Sequence, residues 1–279
     1  MTSRLKKLAS VASVLVLGLG VAACSSDDDQ PAAGATSSPA AGETTEAPAA
    51  DGGDLTQASF FSELTAAQTD ARTSHVTMEI GAAGQTIKAT GDVEVGETVA
   101  DTAMTMSMDL GSTGMGSMKM ILVDGAFYLN FGQMTENKYA KIDLSDTSNP
   151  IAAQFSSITE QLDPSKQLDQ IDKALTSFEK KGDPETIDGV QAQPYEVVLD
   201  TTKIAGMSEL SGDAAASVPK TLTYTMFVGP DNLLRRVAAD VAGSTITVDY
   251  SKWGEPVDVS APPADQISDM DLSQMGGAA

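Results

Sequence analysis

Three features of this 279-residue sequence predict an α+β fold: a curved antiparallel half-barrel sheet of about ten strands, with helices packed over its concave face. Period-two alternation of apolar and polar residues recurs from Thr73 to Tyr250, and most of these segments are joined by turns short enough to make neighbours antiparallel. Two amphipathic helical stripes arrive together between strands, as one insertion, so they have a single sheet face to cover. A sheet of so many strands has to twist and curl. From Leu55 to Val259 there are roughly 205 residues, ample for one core and short for two ordinary domains.

Before the folded part comes a leader. Arg4, Lys6 and Lys7 precede the apolar run Val11–Val21, which at about 10–14 residues is too short to span a bilayer stably. Val21-Ala22-Ala23-Cys24 closes it and resembles a bacterial lipobox. That resemblance implies cleavage after Ala23, a diacylglycerol on the Cys24 sulfur and attachment to the extracytoplasmic face of the cell membrane. Residues 1–23 are read as a lipoprotein signal peptide. Residues 24–54 are rich in Ala, Ser, Thr, Pro, Gly and acid, with no aromatic or large aliphatic side chain, and are read as a disordered stalk.

The folded part spans residues 55–260. Phe60, Leu64, Ala67 and Ala71 place a first helix over Leu55–Arg72. Alternation then begins. Val76, Met78 and Ile80 share a face, as do Ile87, Ala89, Gly91, Val93 and Val95. Met104, Met106, Met108 and Leu110 follow on Thr98–Leu110, then Met118, Met120 and Leu122. Asp124-Gly125 is a two-residue hairpin signal leading to Phe127, Leu129 and Phe131, and Lys138–Asp143 completes the first meander. Asn149-Pro150 and Asp163-Pro164 are helix starts. Ile151, Phe155, Ile158 and Leu162 form one stripe, and Leu168, Ile171, Leu175 and Phe178 the next. Strands resume at Lys180–Ile187, Val190–Leu199 (after Asp188-Gly189), Lys220–Val228, Leu233–Val241 and Ser244–Tyr250, with a short helix expected at Thr201–Met207. The tail, 261–279, is small-residue-rich and acidic, and is expected to be loose.

Composition excludes much. Without residues 1–23, 14 basic residues face 39 acidic ones, a net charge of −25 that repels nucleic acid and anionic headgroups alike. Cys24 is the single cysteine and His75 the single histidine. With Cys24 acylated no thiol remains, and a single imidazole cannot make a multi-imidazole zinc site. Cys-His catalysis is thereby ruled out and a Ser-His-Asp arrangement badly weakened, and the sequence reads as neither an enzyme nor a cofactor protein.

Six of the methionines lie on strand faces in the first half. Methionine is unbranched and polarizable, and it adapts to irregular apolar partners. A concave face of Val76, Met78, Ile80, Ile87, Val93, Met104, Met106, Met108, Met118, Met120, Leu122, Phe127 and Leu129 is the candidate lining of an apolar, lipid-accepting cavity. Phe155, Ile158, Leu162, Leu168, Ile171 and Leu175 would close it from the helices. The same residues also suit an ordinary packed core. In that case the chain is a surface-anchored protein-interaction module with no lipid ligand.

Tyr250-Ser251-Lys252-Trp253-Gly254-Glu255-Pro256-Val257, followed by Val259 and Ala261-Pro262-Pro263, resembles the closing segment of the LppX/LprG (LppX_LprAFG) family of actinobacterial cell-envelope lipoproteins. Thr73-Ser74-His75-Val76 is similar to that family's first strand and Val123-Asp124-Gly125-Ala126-Phe127-Tyr128 to its central hairpin. Gly189-Val190-Gln191-Ala192 is similar to the step that begins another family strand. The resemblance covers Leu55 to Pro263. It implies a half-barrel with helices over an apolar cavity, binding of multi-acylated lipid or glycolipid, movement of that lipid within the envelope, and in some members work beside a membrane lipid transporter. It carries no catalytic or ligand-contacting motif.

Overall fold

Both Asp-Gly pairs close tight hairpins. Asp124 and Gly125 have φ of 52° and 66°, and Asp188 and Gly189 have 49° and 78°, the two left-handed residues that a twisted two-residue hairpin requires. The computed structural model describes residues 55–82, 84–96, 101–110, 116–146, 173–204, 219–241 and 243–268. Cys24, the expected signal peptide and stalk, and the expected helical stripes with Phe155, Ile158, Leu162, Leu168 and Ile171 lie outside them.

The chain begins with α1 (Phe60–Ala71) and continues through β1 (Thr73–Ala82), β2 (Gln85–Glu94), β3 (Ala103–Asp109), β4 (Ser117–Val123), β5 (Ala126–Asn130) and β6 (Tyr139–Asp143). After the insertion come β7 (Leu175–Lys180), β8 (Glu185–Ile187), β9 (Val190–Asp200), β10 (Thr221–Val228), β11 (Leu234–Val241), β12 (Ser244–Ser251) and β13 (Ile267–Ser268). The sheet is curved and open, in the order β13-β6-β5-β4-β3-β2-β1-β12-β11-β10-β9-β7, with β8 paired to β9 alone. Every pairing is antiparallel except β13 on β6.

The thirteen strands among the described residues exceed the roughly ten expected, for local reasons. The strand expected at Lys180–Ile187 is two, because Gly182 adopts φ 53° and Asp183-Pro184 follows it. The tail expected to be loose from residue 261 is tied down further along, where Ile267 and Ser268 pair with Tyr139 and Ala140.

The helical stripe expected to run through Leu175 and Phe178 ends sooner. Lys173 and Ala174 are helical, and Leu175 opens β7. The ladder with β9 shifts register between Leu175 and Ser177, so that Leu175 faces Leu199 while Phe178 faces Val197. A bulge of this kind puts residues three apart on one face of a strand. Spacing of three, taken for a helix, is the mark of a kinked strand here. Of the short helix expected at Thr201–Met207 only residues 201–204 are described, and Thr201–Lys203 form a 3₁₀ turn in which Asp200 Oδ1 accepts from the Thr202 N–H at 3.0 Å.

α1 lies on the sheet through Phe60, Phe61 and Leu64. They share a core with Tyr195, Val197, Leu199, Met226, Val228 and Leu234, with Tyr250 and Trp253 packed against it. The Phe60 ring meets Phe178 at 4.8 Å and Tyr195 at 5.2 Å between centroids. Trp253 stacks on Tyr250 at 5.9 Å and donates its indole N–H to the Leu234 carbonyl at 2.9 Å, fixing the chain just past β12. Phe60 has no exposed surface. Phe60→Ala is therefore expected to cost about 3–5 kcal/mol, read as a shift in the chemical denaturation midpoint at unchanged slope.

Candidate functional site: one apolar sheet face

Register turns the alternation of separate strands into one surface. Val76 of β1 sits opposite Gly91 of β2, Gly91 opposite Met106 of β3, Met106 opposite Met120 of β4, and Met120 opposite Leu129 of β5. A parallel row runs Val93, Met104, Leu122, Phe127 and Ile142, and another runs Met78, Ala89, Met108 and Met118. Ile80 and Ile87 face each other near the β1–β2 turn. The strand-borne candidates from Val76 to Leu129 thus occupy one face. Leu175 reaches the same interior from β7, partly buried against the α1 core.

The face continues beyond the residues singled out from sequence. Through β12 it runs Tyr250, Val248 and Ile246, paired with Val76, Met78 and Ile80. It passes through Val237 and Ala239 to Met226 and Tyr224, and then to Tyr195 and Val197. Alternation in β9–β12 is as plain as in β1–β5. Without methionines to mark it, it passes for ordinary core.

Burial divides this face. Residues near α1 are enclosed, whereas Met104, Met106, Met108, Met118 and Met120 are all half-buried. The cluster of Leu122, Phe127 and Ile142, with Met104, Met120, Leu129 and Leu144 against it, contains no α1 residue. The helix covers the β9–β12 end, and the methionine rows extend past it.

Gly91 lies among these rows for a steric reason. A Cβ there would fall 2.0 Å from the Thr105 carbonyl oxygen and 3.1 Å from Met106 Cα. The close approach of β2 to β3 leaves no room for a side chain.

The opposite face is polar. Lys88 pairs with Glu79 at 3.1 Å, Arg236 with Asp249 at 2.6 Å, and His75 Nδ1 with Asp92 at 2.7 Å, while His75 Nε2 is 3.2 Å from the Thr90 hydroxyl. The hydrogen bond to Asp249 raises the pKa of Arg236. A hollow of about 740 Å³ on this side is lined by Thr77, Glu79, Lys88, Thr90, Ser107, Arg236 and Asp249 among others. A smaller one, about 190 Å³, lies between Leu55, Tyr195 and Gly229. Neither is bounded by the methionine rows apart from Met78 and Ala89. Among the described residues no three His, Asp or Glu side chains come together as a cation site.

Polar atoms on the apolar side are few. Burial pushes the Tyr250 hydroxyl up to about 12 and raises that of Tyr224 as well. Gln68 is 4% exposed on the inward stripe of α1, and its Nε2 has no hydrogen-bond partner. Gln68 is absent from the sequence reading. Its signal is position, since it falls four residues after Leu64 and eight after Phe60.

This sheet order with a helix over one face has a counterpart among solved structures. The chain shares its fold with LppX. The Mycobacterium tuberculosis lipoprotein LppX superposes with a TM-score of 0.50 at 14% identity, over 73% of this chain and 98% of LppX. LprF from Mycobacterium bovis gives 0.46 at 13% identity, over 72% of this chain and 95% of that one. Both neighbours are mycobacterial lipoproteins of the LppX/LprG family, in agreement with the resemblance read from the closing Trp-Gly-Glu-Pro-Val segment. No family model and no curated protein sequence matches the chain.

Gly91→Val is expected to destabilise the protein by about 1–3 kcal/mol or more, measured by denaturant unfolding, because backbone and not a flexible side chain must give way. Stability is also expected to fall as pH rises from 10 towards 12. In that window the unfolded Tyr250 has lost its proton and the folded one keeps it, so the unfolded state binds fewer protons. Tyr250→Phe should flatten that part of the pH–stability curve.

Proposed function

We propose that this chain is a membrane-anchored lipoprotein that binds acylated lipid or glycolipid against the methionine-bearing sheet face and carries it within the cell envelope. Cys24 would hold it on the extracytoplasmic side of the cell membrane. The observation that carries this reading is the in-register apolar face that runs on, half-buried, beyond the part α1 packs against. Fold similarity to LppX supports it at the level of architecture.

The energetics suit a carrier. Sheltering one 16-carbon chain is worth on the order of 13 kcal/mol at about 0.8 kcal/mol per methylene, and a bilayer provides nearly the same environment. A face that only matches the bilayer makes exchange close to balanced, so neither loading nor release needs chemistry. Methionine suits that task because its flexible thioether repacks around chains of different length. Val76, Met78, Ile80, Ile87, Val93, Met104, Met106, Met108, Met118, Met120, Leu122, Phe127 and Leu129 are the lining residues in this reading. Phe155, Ile158, Leu162, Leu168 and Ile171 are assigned to the opposite wall, and Leu175, a residue of β7, joins the sheet side. An envelope lipid transporter is the partner that would supply or receive the cargo.

Native mass spectrometry of the full chain, purified in detergent from an actinobacterial host, is expected to show adducts of lipid mass beyond the covalent anchor. Met106→Trp should cut that occupancy severalfold with little change in melting temperature. A packed core would instead show no adduct and lose about 1–3 kcal/mol of stability in the same variant.

A further inference from the structure

The hollow of about 740 Å³ on the polar side of the sheet is built by register from two rows of side chains. In the first, Arg236 of β11 sits opposite Asp249 of β12, Asp249 opposite Thr77 of β1, Thr77 opposite Thr90 of β2, and Thr90 opposite Ser107 of β3. The second runs Thr247, Glu79, Lys88 and Asp109. Members of both rows line the hollow, and every one of them carries a hydrogen-bonding group.

Two cross-strand ion pairs stand in these rows. Arg236 Nε meets Asp249 at 2.6 Å, and Lys88 Nζ meets Glu79 at 3.1 Å. Neither contact exhausts its partners, because guanidinium and ammonium groups carry several N–H donors and a carboxylate several lone pairs. Each pair therefore fixes its own geometry and still offers donors and acceptors side by side. Thr77 stands next to Asp249 in its row and Thr247 next to Glu79, while the Thr90 hydroxyl is held 3.2 Å from His75 Nε2.

The charge balance selects among ligands. Lys88 and Arg236 face Glu79, Asp109 and Asp249, so the hollow is close to neutral in a chain of net charge −22. An anion finds both cations already paired, and among the described residues no three acids converge on a metal ion. A neutral ligand rich in hydroxyls fits better. One hydroxyl of a vicinal pair donates to the carboxylate while its neighbour accepts from the adjoining cation, and both bonds are charge-assisted. The ion pairs stay closed throughout, so binding strands no charge and orders little that was free.

From this arrangement we infer that the polar face is a carbohydrate-binding site, taking a neutral, extended glycan laid across β11, β12, β1, β2 and β3. The four gaps between these strands, at about 4.8 Å each, span about 19 Å. That spacing is close to the repeat of one sugar in an extended β-1,4-linked chain. The inference does not rest on the lipid-carrier reading, because the thickness of the sheet separates this hollow from the methionine rows and both faces can be occupied at once.

The test titrates the full chain, in a detergent whose head group is not a sugar, with cellohexaose, cellobiose and maltohexaose, read by isothermal calorimetry. Cellohexaose is expected to bind saturably and about tenfold more tightly than the other two, because only a long, extended chain reaches both ion pairs. Arg236→Gln should weaken that binding by about threefold to tenfold, the loss of one hydrogen bond. Thr77→Val, which keeps the branched shape and breaks no ion pair, should do the same and guards against misfolding of the first variant. Lys141→Gln, on the same sheet face but outside the hollow, should leave affinity unchanged. Absence of saturable cellohexaose binding, equal affinity for maltohexaose, or binding that survives both Arg236→Gln and Thr77→Val overturns the assignment. Each of these outcomes leaves the carrier reading standing, since that reading is decided by lipid adducts measured by mass.

Discussion

Cross-strand register is the constraint on which this structure depends. From β6 through β1 and β12 to β9, the ladders bring apolar residues together along one face, and a slip of one position anywhere would turn that strand's whole set to the other face. The turns set this register. Asp124-Gly125, Asp188-Gly189, Gly84 and Gly243 all place residues at positive φ, which tight hairpins between right-twisted strands demand. The ends of the sheet are handled more sparingly, with a two-residue strand on β6 and a bulged β7.

Against that wide face the protein sets α1 unevenly. The link from Ala71 to β1 is a single residue, Arg72, at φ 62°, so the helix has to fold back across the neighbouring strands. Its aromatic stripe reaches Phe178 and Tyr195 near the far edge. Enclosure is complete there and lessens towards the methionines.

Charge works on the opposite side. The polar face holds its ions in pairs, and the excess acid is concentrated in turns and in the flanking segments. A chain of net charge −22 is repelled by an anionic membrane.

Local periodicity was enough to find the strands, both Asp-Gly hairpins, the first helix and the facing of Met104, Met106, Met108, Met118 and Met120, because alternation and turn chemistry are short-range properties of a chain. Tertiary structure decided what these signals could not carry. The three-residue spacing of Leu175 and Phe178 means a helix or a bulged strand depending on whether β9 lies alongside. Pairing of Ile267 with Tyr139 joins residues far apart in sequence. Spacing from Phe60 and Leu64 puts Gln68 on the inward stripe of α1, and where α1 comes to rest on the sheet decides that this stripe is buried as far as Gln68.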